Sequence, residues 1–296
     1  MTNNITILYD TIRLEEKLLI ASAKKNNIPV DMIDCKKLFI NLNEKNVDFE
    51  TVIQRCVSYY RNIHSTASLE GFGIKVINCL NTGLLAGNKL FTHMLLQKNN
   101  IPTPDVTVAF SKNAAIESLE KTGYPKIIKP TVGSWGRMVS KLNDRDAAEG
   151  IIEGKESMHP IHQIHFLEEF VERPPRDIRA IVIGDRVTAA IYRNSGNGNW
   201  KTNTHLGGSA EACPVSNEME DICIKAKNAV EGEIVGIDLM ESKSKGLVVH
   251  EINNTTEFRN VVRVTDVDIP KQILEYAKNS VKRIWNRILR ILQGLQ

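Results

Sequence analysis

The stretch VGIDLMESKSKGLVVHEIN, residues 235–253, carries the strongest structural signal in the chain. Two apolar runs, 235–239 and 247–252, flank the polar segment 242–246. Aliphatic and β-branched runs separated by a short glycine-containing turn are typical of paired antiparallel strands. The sequence therefore predicts a β-hairpin here.

Three oxygen-bearing side chains lie at the ends of these two runs. Asp238 ends the first run, and Glu251 and Asn253 end the second. Residues two apart on a strand face the same side, so Glu251 and Asn253 face together, and strand pairing would bring Asp238 to them. Two carboxylates and an amide oxygen suit Mg²⁺ bound with nucleotide phosphates. The pattern favours this metal site over the alternative of a solvated strand edge.

A second feature is Lys129, which ends the apolar strand 126–129 and precedes a loop containing Gly133 and Gly136. A lysine aimed at such a loop can clamp a phosphate, because its ammonium supplies charge and the loop N–H groups surround the oxygens. The spacing matches neither a Walker loop nor a dinucleotide fingerprint. An ordinary hairpin explains the same residues equally well.

A third feature is an acidic and apolar string followed by arginines. The string consists of Glu168, Glu169, Phe170, Val171 and Glu172. Such a segment can offer backbone groups to a nucleobase and a carboxylate to a ribose. Further polar groups follow it: Asp177, Arg179, Arg193 and Asn203. The arginines could equally serve only to neutralise the neighbouring carboxylates.

Length and composition limit the class of protein. The 296 residues are 42% hydrophobic and 25% charged, which is typical of a folded chain of two or three lobes. A net charge of +3 is too small to indicate nucleic-acid binding, and no apolar run reaches the roughly 20 residues of a membrane span. The five cysteines form no CxxC pair, and no leader is apparent, so we expect a cytoplasmic protein with reduced thiols.

The order of elements divides the chain into three parts. Short strands alternate with helices over 1–88, which predicts an α/β domain with a mainly parallel sheet. We expect a small α+β lobe at 89–165 and a second lobe, carrying the metal site, at 166–296. The segment 269–295 has the periodicity of a helix with one apolar face. We favour a packing or oligomer helix there over one that contacts a membrane surface.

The candidate site residues named above, taken with Lys89 in their order along the chain, resemble those of an ATP-grasp ligase of the RimK branch. The resemblance extends from about residue 5 to 276. The strings ILYDTIR, GSWGRMV, RPPRDIR, TNTHLGGSAEACP and HEINNTTEFRN are similar to the LysX and ArgX family, the amino-group carrier ligases of lysine and arginine biosynthesis. The resemblance implies a three-lobed ATP-grasp fold with a Rossmann-like N-terminal pre-ATP-grasp domain. It also implies ATP and Mg²⁺, two ions, as cofactors, and a homodimer or homotetramer.

The reaction implied by the resemblance joins two partners. ATP phosphorylates the C-terminal glutamate of LysW, a small acidic carrier protein, and the amine of α-aminoadipate then attacks. Glutamate replaces α-aminoadipate in the ArgX group, and an enzyme that uses both is a further alternative. The residues beside Asn253, Asn254 to Phe258, separate these groups, and their pattern at Asn254 and Thr255 favours α-aminoadipate.

The resemblance also implies a role for each candidate residue. Lys89 and Lys129 would contact nucleotide phosphates, and segment 168–172 would contact adenine. The lid over the phosphates would consist of Gly133, Ser134, Trp135, Gly136 and Arg137. Asp177 and Arg179 belong to the same nucleotide-binding set. Arg193 and Asn203 would hold phosphate or the reacting carboxylate, and they form the catalytic set with Lys129. Asp238, Glu251 and Asn253 would bind Mg²⁺.

Two alternatives to a carrier ligase remain at the level of sequence. A RimK-like enzyme would add glutamates successively to the C-terminus of another protein. A non-catalytic nucleotide-binding protein would bind ATP without turnover, although a degenerate site would be expected to have lost a lysine or a metal ligand. Candidates for docking an acidic carrier are the basic residues Lys36, Lys37, Lys201, Arg259 and Arg263.

Overall fold

The N-terminal part of the chain is a parallel sheet covered by helices. The computed structural model describes residues 4–133, 135–196, 200 and 208–280. Strands β1 to β4 are Ile5–Tyr9, Val30–Asp34, Thr51–Gln54 and Lys75–Ile77, in the order β2-β1-β3-β4. Every pair in this sheet is parallel, which confirms the predicted α/β character. Helices α1 to α3 are Leu14–Lys25, Tyr59–Gly71 and Leu80–Ala86.

The central part forms a small antiparallel sheet with two helices against it. Helix α4 is Lys89–Lys98, and the two helices against the sheet, α5 and α6, are Lys112–Thr122 and Arg145–Glu156. Strands β5 to β8 are Val106–Ala109, Lys126–Lys129, Ser140–Leu142 and His165–Glu169, in the order β5-β8-β6-β7. Since β8 bonds to both β5 and β6, this sheet extends past residue 165, where we placed the end of the central lobe.

The C-terminal part is an antiparallel sheet of five strands. Strands β9 to β13 are Arg176–Ile183, Arg186–Asn194, Ser209–Cys213, Ile234–Ser242 and Gly246–Asn253, in the order β11-β10-β9-β12-β13. The predicted hairpin is confirmed as β12 and β13, whose register runs from Ser242 opposite Gly246 to Gly236 opposite Asn253. Helices α7 and α8 are Asn217–Ala229 and Arg259–Val264, and residues 269–280 are also helical.

Shared apolar cores hold the first and third sheets together. Ile7 and Ile77 of the parallel sheet pack in one cluster with Ile181 of β9 and with Ile273 of the last helix. Ile269, Leu274 and Ala277 belong to the same cluster, so residues 269–280 of the predicted helix pack inside the protein. Residues 281–296 lie outside the described residues. This shared core holds the loops of the parallel sheet against the predicted metal ligands of β12 and β13, which are Asp238, Glu251 and Asn253.

Over the described residues, no helix combines the length and the apolar character that a membrane span requires.

Candidate active site

A cavity of about 620 Å³ lies where the three sheets meet. Every candidate site residue that the structure describes lines this cavity, and all of these candidates come from the central and C-terminal parts of the chain. They are Lys89, Lys129, Gly133, Trp135, Gly136, Arg137, Glu168, Glu169, Phe170, Val171, Glu172, Asp177, Arg179, Arg193, Asp238, Glu251 and Asn253. Ser134 and Asn203 lie outside the described residues, as does part of the loop 194–201. The roles assigned to these residues stay predictions.

The three candidate metal ligands come together through strand pairing. Asp238 of β12 lies opposite Glu251 of β13, and a register shift follows directly after Asp238. Asp238 is buried, and the Asn253 Nδ2 atom is buried without a hydrogen-bond partner among the residues that the structure describes. Because the oxygen and nitrogen of an amide are assigned from their partners, this unpaired amide can equally present its oxygen to a cation.

Two arginines surround the Asp238 carboxylate. Arg179 Nε and Nη2 donate to its two oxygens at 2.5 and 2.8 Å, and Arg193 Nη2 lies 3.0 Å from Oδ2. Arg193 also donates two hydrogen bonds to Asp177, from Nε to Oδ1 at 2.6 Å and from Nη2 to Oδ2 at 2.9 Å. Burial raises the pKa of Asp238, but Arg179 and Arg193 outweigh this effect and hold that pKa well below its usual range. Asp238 is therefore an anion at neutral pH.

The donor set fits Mg²⁺ shared with a nucleotide. Burial raises the pKa of Glu251, but Lys89 outweighs it and the pKa is lowered, so this carboxylate is also ionised. Within the described ranges, no three His, Cys, Asp or Glu side chains form a metal-binding cluster. Two carboxylates and one amide instead leave positions for phosphate oxygens, as is usual for Mg²⁺ at nucleotide sites. Asp238 keeps lone pairs beyond those that the arginines use.

Lys129 is buried at the end of β6, where its ammonium has two partners. Its Nζ lies 2.5 Å from Glu168 Oε1 and 2.5 Å from His250 Nε2. Because an ammonium only donates, His250 must accept here through a neutral ring nitrogen. One N–H of Lys129 is then left for a ligand in the cavity. Burial raises the pKa of Glu168, but the neighbouring Lys129 ammonium outweighs this effect and lowers the pKa to about 2.

Lys89 links the glycine loop to the metal-type residues. Its backbone N donates to Thr131 O at 2.8 Å and its Nζ donates to Gly133 O at 2.8 Å. The same Nζ lies 3.2 Å from Glu251 Oε1. Trp135, at the tip of the loop, donates from Nε1 to Glu257 Oε1 at 3.1 Å. The loop therefore spans the cavity from the start of α4 to the segment after β13.

Segment 168–172, which is predicted to contact adenine, has an apolar wall and polar side chains on both sides of it. Val171 packs with Met240 and Val248 in a small buried cluster. Phe170 has the Lys141 Nζ atom 3.8 Å from its ring centroid. A flat apolar wall with exposed backbone nearby suits a nucleobase.

The acidic residues of this segment are partly engaged by lysines of the β12–β13 turn. Glu169 Oε2 accepts from Lys245 Nζ at 2.6 Å, and Glu172 pairs with Lys243. A ribose would compete with Lys243 for Glu172, which is largely exposed.

Sequence reasoning missed several residues that line the cavity. The position of His250 in the sequence favours a structural or substrate-adjacent role, and the structure places this residue in contact with Lys129. Arg173 and Arg13 were not singled out, although both line the cavity. The available signal was their position inside the strings ILYDTIR, RPPRDIR and HEINNTTEFRN.

Comparison with known proteins decides the family. A sequence model described as the RimK-like ATP-grasp domain matches residues 86–277, and the LysX preATP-grasp domain matches residues 5–84. The chain belongs to the RimK-like ATP-grasp family. The predicted family, fold class and enzyme class are thereby confirmed: this ATP-grasp chain is an ATP-dependent ligase with a preATP-grasp domain.

Relatives of this ATP-grasp chain cover almost its whole length. The alpha-aminoadipate–LysW ligase LysX of Saccharolobus solfataricus is 40% identical over 274 residues, which are 92% of this chain and 99% of the relative. The glutamate–LysW ligase ArgX of Sulfolobus acidocaldarius is 34% identical over 280 residues, 94% of this chain and 99% of the relative. The crystal structure of a RimK domain ATP-grasp protein from Sphaerobacter thermophilus superposes with a TM-score of 0.74 at 19% identity, covering 93% of this chain and 99% of the other.

Proposed function

We propose that this chain joins the C-terminal carboxylate of the acidic carrier protein LysW to the amine of α-aminoadipate. The observation that carries the proposal is the convergence of two lysines and three oxygen-bearing side chains on one cavity. Those residues are Lys89, Lys129, Asp238, Glu251 and Asn253. The names and nearly full coverage of the relatives support the choice of carrier and amine.

The reaction needs an activated carboxylate, because a free carboxylate would have to expel oxide. A carboxylate oxygen attacks the γ-phosphorus of ATP, which releases ADP and forms an acyl phosphate. The amine then attacks the acyl carbon, and phosphate leaves with the original carboxylate oxygen. No side-chain nucleophile is required, so positioning and electrostatic stabilisation supply most of the acceleration.

The chain's own residues match these needs. Lys129 has one N–H left for a phosphate oxygen, and Lys89 is tied to the loop that we propose as a lid. Arg193, held by Asp177, is positioned to hold a phosphate or the reacting carboxylate. Mg²⁺, for which we propose two ions, would be held by Asp238, Glu251 and Asn253 and would supply charge to the phosphate oxygens.

The choice of amine rests on two observations. The LysX relative is 40% identical and the ArgX relative 34% identical to this chain. The residues at Asn254 and Thr255 also favour α-aminoadipate. Glutamate, or both amino acids, remains the alternative substrate.

The test is an intact-mass measurement on the carrier. Purified protein is incubated with MgATP, LysW and either amino acid, and ADP release is measured in parallel. We expect one α-aminoadipate residue on each carrier. A glutamate adduct alone would indicate an ArgX-type enzyme, and successive additions a RimK-like one. ATP binding without adduct or ADP release would identify a non-catalytic protein and contradict the proposal.

Two assembly properties are proposed with this function. We propose a homodimer or homotetramer, which light scattering would test.

We also propose that the carrier docks on basic residues: Lys36 and Lys37 are exposed after β2, and Arg259 and Arg263 lie on α8. Lys201 lies outside the described residues.

A further inference from the structure

The cavity extends beyond the residues that we propose to bind the nucleotide, into a polar subsite at the parallel sheet. Arg13 follows β1, Cys56 and Val57 follow β3, and Tyr59 and Asn62 lie in the first turn of α2; all five line the cavity. Ligands of open α/β sheets bind outside the carboxyl ends of the strands. This end of the cavity is therefore a natural place for the second substrate.

The opposite wall of the subsite is the segment directly after the metal-type residues. Asn62 Nδ2 donates to Thr255 Oγ1 at 3.2 Å, and Asn254 Nδ2 donates to Asn62 Oδ1 at 3.4 Å. Thr256 packs on β12 so closely that a Cβ placed on Gly236 would lie 2.1 Å from its Oγ1. The parallel sheet and the C-terminal sheet thus build one continuous subsite.

Arg13 presents a fixed cation to this subsite. Its Nε and Nη2 donate to Glu16 at 3.2 and 2.9 Å, and its backbone N donates to Glu16 Oε2 at 2.8 Å. Its Nη1 makes no hydrogen bond to any residue that the structure describes, and 14% of its side chain is exposed. Burial lowers the pKa of Arg13, but Glu16 outweighs it and raises the pKa, so the guanidinium stays charged.

Glu16 is in turn held by a second arginine. Arg55 is buried and donates from Nε to Glu16 Oε1 at 2.9 Å. Burial raises the pKa of Glu16, but Arg55 and Arg13 lower it to about 2, so the central carboxylate is ionised. Arg55 Nη1 also donates to Thr256 O at 3.0 Å. Arg55 is therefore a positioning residue that ties the cation to the opposite wall.

We propose that Arg13 binds a carboxylate of the amino-acid substrate, a proposal that rests on the proposed ligase function. A guanidinium with an unused N–H edge, locked by a buried anion, is preorganised to accept a carboxylate. α-Aminoadipate and glutamate each carry two carboxylates, whereas the attacking group is the amine. Glu257, which lines the same end of the cavity, offers the opposite charge. The proposal explains why the buried Arg55 and the partly exposed Arg13 share one buried glutamate beside a substrate-sized cavity.

The test compares Arg13→Gln with the wild-type enzyme. Removing one partner of a desolvated charge pair raises the KM of the amino acid by at least about 30-fold. The KM of ATP stays unchanged, because the hydrogen bonds that Arg13 donates within the described part of the chain all go to Glu16 and none goes to a residue proposed to bind nucleotide. The assay also includes the two mono-amide analogues of the amino acid, in which either the side-chain or the α-carboxylate is replaced. We expect Arg13→Gln to lose the wild-type discrimination against one of these amides.

The control is Arg145→Gln, an exposed arginine paired with Glu149 on α6. It leaves both KM values unchanged.

If Arg13→Gln fails to fold, Arg13→Lys is the second variant. It keeps the charge but removes the forked geometry of the guanidinium, and its amino-acid KM still rises. Wild-type protein that forms no carrier adduct would defeat the proposed function. Active wild-type protein with an unchanged amino-acid KM and unchanged amide discrimination in the Arg13 variants would overturn this inference alone.

Discussion

Lys129→Met perturbs the most enclosed ion pair of the site. The ammonium and the Glu168 carboxylate lie 2.5 Å apart, with exposed side-chain fractions of 6% and 5%. Removing one partner of such a buried pair costs about 3–5 kcal/mol, since the other charge is left uncompensated. At about 2 °C per kcal/mol for a chain of this size, the midpoint of thermal unfolding falls by at least about 6 °C.

The same change removes the charged contact that we propose between Lys129 and the nucleotide. A hydrogen bond to a charged group contributes about 1.5–3 kcal/mol, which corresponds to a loss of about 10–150-fold in kcat/KM for ATP. Adding Glu168→Gln separates the two effects. The double variant recovers much of the lost stability because it carries no uncompensated anion, whereas its kcat/KM for ATP stays low.

The pH dependence of stability provides a third readout. In the wild type the pKa of Glu168 is lowered to about 2, mainly by Lys129, against the effect of burial. A lowered carboxyl pKa stabilises the protein above the unfolded value of about 4.3, and this contribution is lost as the pH falls toward 2. Without Lys129, burial raises the pKa of Glu168. The difference in stability between wild type and Lys129→Met therefore narrows as the pH falls, first through the raised Glu168 pKa of the variant and then from about 4.3 toward 2.

Lys126→Met is the matched control for Lys129→Met, because Lys126 starts the same strand and does not line the cavity. Calorimetry and a coupled ADP assay measure both effects. An unchanged unfolding midpoint together with an unchanged kcat/KM for ATP in Lys129→Met would refute the reasoning.

Three further substitutions test other parts of the site. Glu251→Gln removes a carboxylate that we assign to Mg²⁺, and the Mg²⁺ concentration for half-maximal ADP release rises at least about 10-fold. Trp135→Phe removes the hydrogen bond to Glu257, and the amino-acid KM rises by less than about 10-fold, since the contact is partly exposed. Gly236→Ala places a methyl group 2.1 Å from Thr256 Oγ1, so the segment after β13 shifts and the amino-acid KM rises more than the KM of ATP.

Controls and contradicting outcomes differ for these variants. Glu241→Gln lies on the same hairpin as Glu251, pairs with Arg176 and does not line the cavity, so its Mg²⁺ dependence stays that of the wild type. An unchanged Mg²⁺ titration of Glu251→Gln would remove that residue from the metal site. Equal increases of both KM values in Gly236→Ala would indicate a general distortion instead of a local shift.

The hairpin at 235–253 and the parallel sheet were predictable because their signals are local. Apolar runs of strand length, a glycine turn and alternating helices determine these elements without long-range information. Side chains alternate between the two faces of a strand, so antiparallel pairing of the two runs predicted that Asp238 and Glu251 would lie close together. The register of β12 and β13 places them opposite each other.

The Arg13, Glu16 and Arg55 network could not be read from the sequence. Arg55 lies 39 residues from Glu16 and 201 residues from Thr256, so no spacing rule connects these residues. Glu16 lies in the first turn of α1, where the helix dipole alone is enough to explain an acidic residue. His250 was missed for a related reason: its contact with Lys129 spans two sheets.

The transfer of carboxylate oxygen into phosphate is the most direct measurement of the proposed reaction. LysW labelled with ¹⁸O in its C-terminal carboxylate is incubated with the protein, MgATP and α-aminoadipate, and the released phosphate is analysed by mass spectrometry. Activation as an acyl phosphate predicts one ¹⁸O atom in the phosphate for each carrier that gains an amino acid. Unlabelled phosphate accompanying adduct formation, or labelled carrier recovered unchanged after ADP release, would contradict it.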